Sequence, residues 1–221
     1  MIGTSLTGPQ KDDITRAFTK VYNEDVWQRR DTSGPGSSVQ HTGGYRTFLR
    51  RVLKSYNIRK VIDVGCGLWE HLGNVDWSGV DYLGIDPVPS VIERNRKLNL
   101  PQNHKFQCGL LDDVTDLQSF DLAIVKDVLQ HLPIKTIDHM LRQLKVVKFL
   151  LITNDVCHDA NADCALGGFR KINLELPPFN LSPDAKVDFQ SCPFVKRTLL
   201  IQNAVGDAAP TLNMSSSSSV A

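Results

Sequence analysis

The chain has 221 residues, 41% hydrophobic and 22% charged, with a net charge of +1. That is long enough for one well-buried domain, and the near-neutral balance excludes a long-range pull toward nucleic acid or an anionic membrane. Five cysteines, widely spaced and without a C-x-x-C pair, point to reduced thiols rather than a disulfide framework.

In chain order, residues 1–10 are small and polar and are expected to be flexible. Ile14, Phe18, Val21 and Tyr22 suggest a first helix, followed by the turn-rich "DTSGPGSSVQHTGG" at 31–44. Tyr45, Phe48, Leu49, Val52, Leu53 and Tyr56 recur at helical spacing, and residues 11–58 are expected to form a helical lid on a single domain spanning 11–203. Short apolar runs at 60–64, 82–86, 104–108, 120–125 and 148–153 read as strands, with helices near 88–98 and 134–147 between them. A last pair of strands near 187–191 and 195–203 suits an antiparallel hairpin at the sheet edge. Residues 204–221, with five consecutive serines at 215–219, are too poor in apolar side chains to pack and are expected to be disordered. The pattern is α/β: a mostly parallel sheet with helices on both faces. No segment has a basic start and an apolar core, and no apolar run approaches membrane-spanning length, so a cytoplasmic protein without membrane insertion is expected.

In such sheets ligands bind beyond the carboxyl ends of the strands, where strand order reverses. After the first strand comes Gly65-x-Gly67-x-x-Glu70. A dinucleotide turn has a third glycine where the helix receives the pyrophosphate, and a carboxylate at Glu70 opposes those phosphates. A cofactor without phosphate and with a cationic centre reverses that argument. Asp63 stands where an ammonium is held, Gly65 and Gly67 allow close approach, and Glu70 favours the start of a following helix. Asp86, at the end of the second strand, is placed to accept hydrogen bonds from ribose hydroxyls.

Together "VIDVGCG", "LGIDPVPSVIERN" and "FDLAIVKDVLQHL" resemble, in order and spacing, the class I methyltransferases dependent on S-adenosylmethionine (SAM). "SGPGSS", "YRTFL", "GCGLW", "LLITND" and "GGFRKINLELPPF" are similar to a small bacterial-type group of that family, and the resemblance covers about residues 25–203. It implies a Rossmann-like seven-stranded sheet with Asp63, Gly65 and Gly67 around the methionine part and Asp86 on the ribose. It further implies that the "SGPGSS" loop and Arg46 close over the cofactor, with Arg46 on its carboxylate. Leu111 and Asp112 are expected at the adenine, and Trp69, Pro87 and Lys126, which flank these motifs, are counted with the cofactor-binding set.

For the chemistry, Asp127 and His131 in "KDVLQHL" lie four residues apart and share a face if the segment is helical, with His131 as general base oriented by Asp127. Asn154 and Asp155, at the end of the fifth strand, and Arg170 are expected to bind the acceptor. That set of polar residues suggests O-methylation of a small polar acceptor such as a sugar hydroxyl, free or in a glycan. No metal is expected; the variant kept open is a divalent cation between Asp127 and Asp155. "LPPF" (176–179) lies far from the end of the fourth strand, where adenine amino-methylating enzymes carry their Pro-Pro motif, so nucleic acid is not expected as a partner. The competing classes are a SAM-binding module without turnover, a methyltransferase acting on protein or another small molecule, and an NAD-dependent dehydrogenase.

Overall fold

The computed structural model describes residues 5–24, 35–69, 71–191 and 194–205. Five parallel strands are β1 (Lys60–Val64), β2 (Asp81–Asp86), β3 (His104–Cys108), β4 (Leu122–Lys126) and β5 (Phe149–Asp155). Two antiparallel strands, β6 (Ala185–Ser191) and β7 (Phe194–Gln202), complete a sheet of order β3-β2-β1-β4-β5-β7-β6. β7 is thus the inner strand of its hairpin, between β5 and the edge strand β6. Strand order reverses between β1 and β4, which opens a crevice at their carboxyl ends.

Helix α2 (Gly43–Ser55) covers one face. Its Tyr45, Phe48, Leu49 and Val52 pack in a cluster with Val61, Leu122, Ile124, Leu151 and Leu200 of the strands. Helix α4 (Ile134–Leu144) covers the other, setting Ile137, Met140, Leu141 and Leu144 against Ile62, Ala123, Val125, Leu150 and Ile152. The strands alternate between the two clusters residue by residue, as a pleat of period two requires. Carried to the strand ends, that parity directs Asp63, Lys126, Asp155 and Lys196 to the α2 side and Asn154 to the opposite side.

Three expectations need correcting. Helices do not separate every pair of strands: α3 (Pro89–Arg96) joins β2 to β3, whereas β1 leads to β2 through a 3-10 turn at His71–Asn74. The glycine turn therefore feeds no α-helix, and Glu70 lies outside the described residues. The cause is the aromatic content of the link. Trp69 and Trp77 are buried, with ring centroids 6.4 Å apart, and Trp69 also meets Tyr82 and Phe106 edge-on. The segment after β4 is not an α-helix either, but a 3-10 turn at Leu129–His131 entered through Asp127 at φ +59°. Finally, residues 8–10 are helical. Helix α1 (Gly8–Asn23) begins inside the stretch expected to be loose, in a capping box between Thr7 and Gln10, with Pro9 in its first turn. The expected loose tail lies, from residue 206 onward, outside the described residues.

Candidate active site

The crevice holds a cavity of about 950 Å³, its mouth included. Its floor is the strand ends and the glycine turn, and its roof is α1 and Leu6 ahead of it, through Leu6, Ile14, Phe18 and Tyr22. Gly65 and Gly67 have φ of +70° and +52°, a region that costs other residues strain. The turn is pinned on three sides. Gly65 and Cys66 donate their N–H groups to the Ile85 carbonyl, Gly67 N–H donates to Asp86, and Asn95 of α3 bridges Gly67 O and Trp69 N–H. Asn95 escaped the sequence reading because its 28-residue separation from the turn leaves no local signal.

Two buried carboxylates face this cavity. Asp63 is held up at about 7 by burial, against the Tyr82 hydroxyl that donates to it at 2.6 Å and the charge of Lys126. Asp86 is held up at about 6, again by burial, although Gly67 and Val88 N–H groups donate to its two oxygens at 3.1 and 3.0 Å. In both, burial outweighs the groups that favour the charged form, so an added cation would lower the pKa. Pro87 and Leu111 line the same cavity, as does Asp112. Asp112 is fully engaged: His139 of α4 reaches both of its oxygens at 3.0 and 3.1 Å, and Leu6 N–H donates to one at 2.9 Å. Together with the 2.6 Å ion pair of Lys11 and Asp113, this fastens the N-terminal roof to the loop after β3.

Lys126 and Asp127 also line the cavity, in an arrangement the sequence did not suggest. Asp127 lies between two ammonium groups, Lys126 at 2.5 Å and Lys196 of β7 at 2.6 Å. Burial pushes its pKa up, but the two lysines outweigh that and hold it at about 2. Lys126, lowered by burial, also donates to the Gly36 carbonyl at 3.2 Å and lies over the Tyr45 ring. Lys196 reaches Asp155 at 3.0 Å as well, because the β5–β7 register sets the two opposite. An ammonium thus occupies the space between Asp127 and Asp155 where a divalent cation was considered. Cys157, His158 and Cys164 form no metal-ligating group, and none exists among the described residues.

The remaining expected site residues lie away from the cavity. His131 is buried with Nδ1 2.7 Å from the Gly168 carbonyl, and burial lowers its pKa. Its Nδ1 donates to the 164–170 loop, and Asp127 is committed to two lysines. Arg46 donates to the Val39 carbonyl and to Thr42, tying down its own loop rather than reaching a ligand. Trp69 is absorbed in the aromatic cluster. Asn154 points away from Asp155, as strand alternation dictates, and its Oδ1 is a buried acceptor with no donor. Arg170 donates to the carbonyls of Leu129, Leu132 and Ala162 at 3.0, 2.7 and 2.9 Å. Its fork closes the 162–170 loop onto the turn after β4. Arg170→Ala should cost about 2 kcal/mol, a fall in Tm of roughly 4–8 °C, because three carbonyls lose a charged donor. Ligand affinity should change less than about twofold, since the cavity wall is untouched. Calorimetry of melting and binding on the one variant checks both.

Residues 62–152 match the family described as a methyltransferase domain. The chain superposes on Burkholderia thailandensis 1,6-didemethyltoxoflavin-N1-methyltransferase with a TM-score of 0.63 at 13% identity, covering 91% of this chain and 93% of that one. Magnesium protoporphyrin IX methyltransferase from Synechocystis PCC 6803 gives 0.60 at 15% identity, covering 87% and 100%. Both structures contain S-adenosylhomocysteine. At these identities the likeness is one of fold. No protein of curated function matches the chain. Among its described residues, no helix is long and apolar enough to cross a membrane.

Proposed function

We propose that the chain is a SAM-dependent methyltransferase acting on a small acceptor. The observation that carries the reading is the pair of buried carboxylates, Asp63 and Asp86, that face one cavity and are held well above the usual carboxylate range. They fit SAM: Asp63 would hold the ammonium, Asp86 the ribose hydroxyls, Lys126 the carboxylate, and Pro87 and Leu111 the base. A diphosphate in the same place would face both acids. When bound, SAM supplies an electrophilic methyl group on sulfur. The protein's part is to align the acceptor with it and exclude water, which α1 does from above.

The acceptor follows from what the site lacks. Of the two residues expected to act as base, Asp127 is an ionised partner of two lysines, and His131, whose Nδ1 donates to Gly168, does not line the cavity. A sugar hydroxyl needs proton removal by a base, and that reading loses its support. The geometry favours an acceptor nucleophilic at neutral pH without such help, a carboxylate, a phenolate or a ring nitrogen. Ile14, Phe18, Leu132 and Met140 make the walls apolar, which suits an apolar body better than a polyol. Incubation with methyl-labelled SAM and matched panels of glycans and of aromatic acids, phenols and heterocycles tests this. Label is expected in the second panel; transfer to glycans alone would overturn the acceptor assignment.

A further inference from the structure

Lys196 stands outside the motifs, yet the charge arrangement at the cavity depends on it. Its side chain is 4% exposed, and its ammonium is shared between Asp127 and Asp155 at 2.6 and 3.0 Å. The other oxygen of Asp127 holds Lys126 at 2.5 Å. One carboxylate therefore serves two ammonium groups, and only one of those, Lys126, lines the cavity. A buried carboxylate given wholly to Lys126 would neutralise it. Divided with Lys196, Asp127 leaves part of the Lys126 charge unmatched on the cavity side, where its other partners are the Gly36 carbonyl at 3.2 Å and the Ser37 hydroxyl at 3.5 Å. Asp63, on the same face, adds a negative charge that a ligand's ammonium would cancel.

The loop around Gly36 rests on both lysines. Its carbonyl accepts from Lys126, and a Cβ on Gly36 would come within 2.7 Å of Lys196 Cε and 2.9 Å of Nζ. A side chain at position 36 would have to displace the Lys196 tip, which two carboxylates hold.

We propose that Lys196 is a positioning residue for the methyl donor. By sharing Asp127 it leaves the Lys126 ammonium free for the donor's α-carboxylate, and it sets the height of the Gly36 loop above that contact. The inference rests on the SAM reading of the cavity.

The test compares calorimetric binding of SAM and of its decarboxylated analogue, which retains the ammonium and sulfonium. The unaltered protein should prefer SAM by about tenfold or more, as a charge-assisted contact in a buried site warrants. Lys196→Met should lose most of that preference while binding the analogue within about threefold of the unaltered protein; Lys196→Arg should restore the preference. Equal weakening of both ligands in Lys196→Met would overturn the proposal, because a residue with only a structural role has no reason to distinguish them. An unaltered protein that binds both ligands equally would overturn it too. Binding of neither ligand would instead strike the SAM reading itself. Should Lys196→Met fail to fold, Gly36→Ala crowds the same ammonium without removing its charge. A reduced preference is expected there, and an unchanged one would count against the proposal.

Discussion

Lowering the pH from 8 to 6 should weaken SAM binding about tenfold, with a further tenfold for the next unit, because Asp63 must be ionised to hold an ammonium. In the free protein Asp63 titrates at about 7. Above that value the carboxylate is ready; below it each unit of pH demands another factor of ten to remove the proton. Asp86, at about 6, steepens the fall on the acid side. Stability of the free protein moves the opposite way. Both groups have folded pKa values above the ordinary carboxylate value, so the folded state binds more protons than the unfolded one between about pH 4 and 7. Their contribution is fully present below that window and is lost as the pH rises through it. Calorimetric titration at a series of pH values, with melting of the free protein alongside, checks both signs. Asp63→Asn should bind weakly at every pH and flatten the profile; a variant that kept the full pH dependence would assign it to another group.

The second large effect belongs to Asp127. Asp127→Asn should destabilise the protein by about 3–5 kcal/mol, because it leaves the buried ammonium groups of Lys126 and Lys196 short of a counter-charge. Asparagine tolerates the positive φ of this position, so the loss reports charge rather than backbone strain. Asp127→Ala adds strain of about 1–2 kcal/mol and should be worse. Because its pKa is about 2, below the ordinary value, the stability Asp127 provides is present at neutral pH and is lost only as the pH falls below about 4 toward 2. Chemical denaturation at pH 7 measures the cost. A change below about 1 kcal/mol would mean that the two lysines find other partners or give up their protons. The same depressed pKa makes Asp127 a poor proton acceptor, and for that reason it stands here as a structural anion.

The strands were legible because β-branched and apolar runs five to seven residues long, bounded by turn residues, have few alternatives in an α/β chain. The floor of the cavity was legible too. Asp63, Gly65, Gly67 and Asp86 each sit at a strand end or a turn that the local sequence announces. The reading failed where a role depends on partners distant in sequence. Lys196 and Asp155 face each other through an antiparallel register that no local pattern encodes, and without Lys196 neither the ionisation of Asp127 nor the fate of the Asp155 site can be foreseen. Spacing four residues apart suggested that Asp127 supports His131, but that inference needs a helix. Asp127 instead takes a left-handed conformation, which aspartate adopts without leaving a mark in the sequence. Arg170 looked like a ligand contact because its loop was expected over the site, whereas its donors are spent on carbonyls. Alternation, applied to the apolar residues of β5 but not to its polar end, would have separated Asn154 from Asp155.

The account turns on a cavity whose acids await a cation. Titrating the protein at pH 8 with SAM and, separately, with NAD tests that most directly. SAM should bind with a measurable enthalpy and raise the Tm, and NAD should do neither at the same concentration. Saturable NAD binding that SAM fails to displace would contradict it.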